Sequence, residues 1–132
     1  MTERRRVGGG LAGLRVLIVE DEFMVGAALE AMLERLGCAV VGPVGRLKPA
    51  LRLARDEGEA LDGALLDLNL AGEPAYPVAE ALAARGVPFL FVTGYGSRSV
   101  REDFRSVPRL DKPIAEAELE ARMRAAFLSG GG

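Results

Sequence analysis

Four short apolar runs, each closed by a polar residue able to do chemistry, constrain this chain more than any other feature. Arg15-Val16-Leu17-Ile18-Val19 ends in Glu20-Asp21, and Ala64-Leu65-Leu66 ends in Asp67. Phe89-Leu90-Phe91-Val92 ends in Thr93, and the weaker Val107-Pro108-Arg109-Leu110-Asp111 ends in Lys112. Continuous apolar runs of this length suit strands covered on both faces. Between them, apolar residues recur at helical spacing: Val25, Leu29, Met32 and Leu36, then Leu47, Leu51 and Ala54, and finally Leu119, Met123 and Phe127. With residues 38–42 as a short second strand, strand and helix alternate five times. That alternation predicts an α/β fold: a doubly wound, five-stranded parallel sheet between two layers of helices, with right-handed crossovers. In strand order 2-1-3-4-5, a ligand binds outside the carboxyl ends of the first and third strands. Glu20, Asp21 and Asp67 stand at those two ends.

The rest of the chain predicts how these elements are joined. The first helix is expected over 22–36, stopped by Gly37. Pro43–Gly45 reads as a turn and 70–77 as a loop, with Pro77 able to occupy the first turn of a helix over 78–85. Residues 97–106 suit a short mobile helix, 109–111 a weak strand, and 115–128 the last helix. Residues 1–13 read as a flexible tail, 14–128 as the folded domain, and 129–132 as a frayed end.

Composition excludes several classes of function. The chain has 132 residues and no histidine, so His-based triads, imidazole ligands and an internal phosphohistidine are impossible. Net charge is −2, which gives the whole domain no bias toward nucleic acid or membranes. The single cysteine, Cys38, is expected to pack as a small hydrophobe. No apolar run approaches the ~18 residues of a membrane span, and a cytoplasmic location is expected.

Three carboxylates gathered on one sheet edge repel one another unless one is protonated or a cation intervenes. Oxygen ligands without sulfur or imidazole suit magnesium (or manganese), which keeps several waters and accepts phosphate oxygen readily. Asp21 and Asp67 are the expected direct ligands, Glu20 a water-bridged one, and the Asn69 backbone carbonyl a further oxygen. An aspartate can attack phosphorus and form an aspartyl phosphate, so Asp67 is the candidate phosphoacceptor. Lys112 and Thr93 could hold the remaining phosphoryl oxygens. Taken singly, each residue has a plainer reading: turn aspartate, strand threonine, solvated lysine, or an acidic helix start. Their joint placement favours phosphoryl acceptance.

The stretches Val16-Leu17-Ile18-Val19-Glu20-Asp21-Glu22, Leu65-Leu66-Asp67-Leu68-Asn69-Leu70, Val92-Thr93-Gly94 and Leu110-Asp111-Lys112-Pro113 resemble the receiver domain of two-component response regulators. The likeness covers about residues 14–128. It implies a CheY-like, flavodoxin-like (βα)5 fold, magnesium, a cis Lys112–Pro113 bond, and phosphotransfer to Asp67. The donor would be a sensor histidine kinase or a histidine phosphotransfer protein. Pro88-Phe89-Leu90-Phe91-Val92-Thr93-Gly94-Tyr95-Gly96 is similar to the signature of the FAT GUY subgroup, whose members are often stand-alone or serve general-stress pathways. Two departures stand out. Ala71 replaces the proline usual four residues after the aspartate, and Arg109 replaces the aromatic switch residue three before the lysine. Tyr95, Arg98 and Arg109 are therefore the expected switch residues, and Asn69 with Tyr95 is expected to set the lifetime of the phosphorylated form. No length remains after residue 128 for a DNA-binding module. The resemblance thus implies a single-domain regulator that signals through contact with an unknown downstream protein. A homodimer would use the last helix or the Arg-rich fourth segment.

Two rivals belong to other classes. An Asp-nucleophile phosphatase of the haloacid dehalogenase type wants an acid two residues after its nucleophile, where this chain has Asn69. A pseudo-receiver binding module would not need Glu20, Asp21, Asp67, Thr93 and Lys112 all present.

Overall fold

A computed structural model describes residues 10–94 and 100–128. The main sheet holds β1 (Arg15–Val19), β2 (Ala39–Val44), β3 (Gly63–Asp67), β6 (Phe89–Thr93) and β7 (Arg109–Asp111). Their order is β2-β1-β3-β6-β7, all parallel. Once the small hairpin of β4 (Asn69–Leu70) and β5 (Glu73–Pro74) is set aside, this is the expected 2-1-3-4-5 order. The helices are α1 (Phe23–Arg35), α2 (Leu47–Arg55), α3 (Tyr76–Ala84) and α4 (Glu116–Phe127).

The apolar runs are continuous because both faces of each central strand are covered. Alternate residues separate into two cores. Leu17, Val19, Leu66, Phe89 and Phe91 pack with Ala50 and Ala54 of α2 and Val78 and Leu82 of α3. Val16, Ile18, Leu65, Leu90 and Val92 pack with Leu29 and Leu33 of α1 and Met123 and Phe127 of α4. Gly63 lies directly under Phe127: a methyl there would sit 2.6 Å from the ring. Arg85, just past α3, donates to the carbonyls of Ala54 and Glu59 at 2.8 and 2.7 Å. Its guanidinium thereby serves the carboxyl end of α2, where the helix dipole favours a cation.

The structure corrects four expectations. Residues 10–13 are not tail: Leu11 is 2% exposed, and Gly13 N–H donates to Gly37 O at 2.8 Å. One isolated leucine carries no periodicity, so its burial had no local signal. Cys38 donates to the Leu11 carbonyl at 3.5 Å, and burial pushes its thiol up to about 11, leaving a packing residue. Pro43 and Val44 continue β2 instead of turning. Residues 42–43 form a bulge opposite β1, and the proline is tolerated because β2 is an edge strand.

The expected loop over 70–77 contains a hairpin, β4 (Asn69–Leu70) and β5 (Glu73–Pro74), and α3 begins at Tyr76 with Pro77 in its first turn. Ala71 and Gly72 have φ of 50° and 93°, a pair of left-handed residues that closes a tight hairpin. In the Arg-rich segment, Glu102–Phe104 forms a single 3-10 turn, with Val100 and Phe104 buried in the α2–α3 core. The mobile helix expected there is not seen among the described residues from Val100 onward. Replacing Gly63 by Ala is expected to cost about 1–3 kcal/mol by overpacking against Phe127. Urea unfolding followed by circular dichroism checks this, and Phe127→Leu in the same background is expected to recover part of the loss.

Candidate functional site

The carboxyl ends of β1, β3 and β7 meet in a cleft of about 310 Å³, lined by Asp21, Glu22, Asp67, Asn69, Ala71, Gly72, Gly94 and Lys112. Asp67 is the last residue of β3 and is 4% exposed. Its Oδ1 accepts the Asn69 N–H at 3.0 Å, and its Oδ2 lies 3.2 Å from the Lys112 ammonium. Lys112 Nζ also donates to Glu20 Oε2 at 3.1 Å and to Glu22 Oε1 at 2.7 Å. The cis Lys112–Pro113 bond follows β7 directly. One ammonium thus serves three carboxylates.

The electrostatics are unbalanced in favour of the acids. Burial pushes Glu20 up to about 7, the Glu22 N–H pulls it back, and the Asp67 charge adds to the rise. Burial also raises Asp67, against the opposing pull of the Asn69 N–H and of Lys112. Burial works against the Lys112 charge, but its carboxylate partners outweigh it and hold the ammonium firmly protonated. Glu20 Oε1 is buried with no hydrogen-bond partner among the described residues. A ligand oxygen from each of Glu20, Glu22 and Asp67 lies within 4.8 Å of the others. An orphaned carboxylate oxygen beside two more acids is a donor set that fits a hard divalent cation.

Sequence reasoning and geometry differ in detail. Asp21, an expected direct ligand, lines the cleft and accepts the Ala71 N–H at 3.1 Å. Glu22 was not singled out, although it closes the Glu-Asp-Glu run and joins both the acidic group and Lys112. Asn69 lines the cleft, and its side chain accepts the Gly72 N–H at 2.8 Å, bracing the hairpin.

Thr93 is buried and does not line the cleft; its hydroxyl donates to Asp111 Oδ1 at 2.9 Å. Asp111 was also overlooked, though it adjoins Lys112 in sequence. Arg109 is exposed on the edge strand β7, away from the cleft and beside Arg105 and Arg122. Tyr95 and Arg98 lie outside the described residues. Among the described residues of this region, Tyr76 makes aromatic contacts. Its ring stacks on Phe104 at 5.8 Å, its hydroxyl accepts the Arg101 N–H at 2.9 Å, and the Arg101 guanidinium lies 4.8 Å above it.

No family model matches the chain. Among solved structures it is similar to SdrG from Sphingomonas melonis Fr1, at 44% identity over 86% of this chain and 95% of that one, with a TM-score of 0.76. It is also similar to the signal receiver domain of a modulated diguanylate cyclase from Desulfovibrio desulfuricans G20. There the identity is 32% over 87% of this chain and 94% of that one, with a TM-score of 0.73. The chain belongs to the receiver-domain family of response regulators. A third relative is the receiver domain of the sensor histidine kinase PA1611 from Pseudomonas aeruginosa PAO1. It is 28% identical over 88% of this receiver and 98% of that chain, with a TM-score of 0.74, and carries a magnesium ion in its active site cleft. The receiver spans about half the length (48%) of the curated relative it matches. None of its helices, among the described residues, is long and apolar enough to cross a membrane.

The raised Glu20 value has a consequence for stability. The folded chain binds this proton more tightly than the unfolded chain, whose ordinary value is 4.5. The cost of ionising Glu20 is therefore absent below 4.5, grows up to about 7, and is complete above it. In metal-free buffer, Glu20→Gln is expected to be more stable than wild type by about 1–3 kcal/mol at alkaline pH. The gap is expected to close toward pH 4.5, and paired urea titrations across that range check it.

Proposed function

We propose that Asp67 accepts one phosphoryl group from a phosphohistidine on a partner protein, and that the receiver passes this state on by protein contact. The observation that carries the reading is the Asp67 carboxylate, held at the sheet edge between the Lys112 ammonium and the unpartnered oxygen of Glu20. An Asp67 oxygen attacks phosphorus, forming an acyl phosphate O–P bond. The donor P–N bond breaks, and the imidazole nitrogen keeps the electron pair and takes a proton from solvent.

Asp21, Glu22 and Glu20 with Asp67 would hold magnesium or manganese, and the Asn69 carbonyl is a further candidate oxygen. When bound, the ion neutralises phosphoryl oxygen charge. Lys112 turns its ammonium from Asp67 toward a phosphoryl oxygen, which leaves Glu20 and Glu22 to the cation. Thr93 gives up Asp111 by a rotation about its side-chain bond and donates to another phosphoryl oxygen. The reading is of a stoichiometric acceptor in the cytoplasm, not of a turnover enzyme. The FAT GUY likeness fits it but rests on sequence alone. Arg109 is a switch candidate through its place on β7, two residues before Asp111.

Two large apolar side chains at the start of α1, Phe23 and Met24, are 83% and 75% exposed beside the acidic cleft. Exposed apolar groups at a cleft rim suit a docking partner. Such a partner is the protein that carries the phosphohistidine.

Incubation with magnesium and acetyl phosphate, followed by intact-mass measurement, is expected to show one added phosphoryl group, and none in Asp67→Asn. Labelling that persists in that variant overturns the assignment. Phe23→Ala is expected to leave labelling by acetyl phosphate unchanged. It is expected to slow transfer from a phosphorylated histidine phosphotransfer protein by about tenfold, the effect of losing roughly 1.4 kcal/mol at an interface anchor. Stopped quench sampling of both reactions separates the two rates.

A further inference from the structure

A second cavity, of about 810 Å³, shares the β4–β5 hairpin with the carboxylate cleft, and Ala71 lines both. Its other walls include Arg46, Lys48 and Arg52 of the α2 segment, with Leu47, Leu70 and Glu73. Lys48, Arg52 and Arg55 follow one another at four- and three-residue spacing, so they share one face of α2. They are exposed, as is Arg46, and none of the four makes an ion pair among the described residues.

Arg52 and Arg55, in the last turn, suit the helix dipole, but Arg46 and Lys48 do not. Arg46 is its N-cap and Lys48 lies in its first turn, where the dipole disfavours positive charge. That turn holds no acid, and no side chain caps it. A local rule is broken here without a compensating contact within the chain, which points to a contact outside it. In a domain of net charge −2, Arg46, Lys48 and Arg52, without ion pairs among the described residues, line one concave surface and form a concentrated positive field.

We propose that this groove docks an acidic peptide segment of a partner protein. The segment sets carboxylates against Arg46, Lys48 and Arg52 and an apolar side chain against Leu47. A protein segment fits better than a polyanion such as nucleic acid or an anionic membrane. The basic helix has nine residues, roughly 13 Å of length, and the cavity is concave. Glu73 in its wall repels a uniformly negative surface but accommodates a segment of mixed character. Docking of this kind needs neither metal nor phosphate in the cleft, so it stands apart from the chemistry proposed for Asp67.

The test is titration of the whole chain with a fluorescein-labelled peptide of alternating Glu and Leu. Anisotropy is read at low and high salt, and amide shifts are mapped by NMR. Saturable one-to-one binding is expected, weakened at least tenfold by salt, with shifts concentrated at 46–55 and 70–73. Arg46→Glu with Lys48→Glu and Arg52→Glu is expected to lose at least tenfold in peptide affinity while still taking the acetyl phosphate label. The acids at 46 and 48 suit the start of the helix and the one at 52 opposes its carboxyl end, so this variant is expected to melt close to wild type. The matching triple Gln variant gives the same reading should the reversed one melt early. The proposal is overturned if the variants bind the peptide as wild type does, if shifts fall elsewhere, or if wild type shows no saturable binding. Tighter retention by phosphatidylglycerol vesicles or a single-stranded oligonucleotide than by the peptide overturns it as well.

Discussion

The Lys112 ammonium among Glu20, Glu22 and Asp67 is the contact on which the rest of the site depends. At an effective dielectric of about 20, each pair of carboxylates near 5 Å repels by roughly 3 kcal/mol, so the acids tolerate one another only around a cation. The backbone places them there. β1 and β3 pair in register from Val16↔Gly63 to Val19↔Leu66, so Glu20 and Asp67 emerge side by side. β7 pairs Thr93↔Asp111 with β6, which sets Lys112 one residue past the sheet edge. Hydrophobic burial drives the sheet, and the sheet in turn forces like charges together. The orphaned Glu20 oxygen is the part of that cost the chain leaves unmet.

This division between burial and charge explains what was legible in the sequence. Asp67 and Glu20 could be found because each follows an apolar run, and a run that long has few other ways to be covered; Lys112 was legible from its place before Pro113 at the end of a weaker run. The strand order followed from the same alternation. Glu22, Asp111 and Tyr76 lack that signal. Glu22 and Asp111 are exposed, and their importance comes from neighbours brought in from distant strands. Tyr76 sits beside Pro77 in a stretch that reads as loop, and its stacking on Phe104 spans 28 positions. Leu11 shows the same limit for packing, since an isolated apolar residue is buried only because the fold leaves a place for it.

The departure at Ala71 is also physical. With φ at 50°, this position is closed to proline, whose ring holds φ near −65°. Proline would also lack the N–H that Ala71 gives to Asp21. The exchange of a rigid turn residue for a left-handed alanine therefore supplies a hydrogen bond to one of the cleft acids. Gly72 N–H, bonded to the Asn69 side chain, braces the same turn. The hairpin is held by the very acids and amides that line the cleft.

A hairpin tied to the cleft in this way also borders the α2 groove. Asp21 accepts the Ala71 N–H through Oδ2, which leaves Oδ1 for a cation in the cleft. Ala71 and Leu70 then form the wall of the basic groove along α2. One hydrogen bond and one tight turn thus separate the cleft acid Asp21 from the wall of the α2 groove. The aromatic route through Tyr76, Phe104 and Arg101 leads away on the opposite flank of β3 toward β6 and β7. The hairpin is bonded to a cleft acid, Asp21, whereas the aromatic cluster packs against Phe91 of β6. Of the two, the hairpin has the stricter geometry, because a left-handed turn has few alternative conformations to adopt.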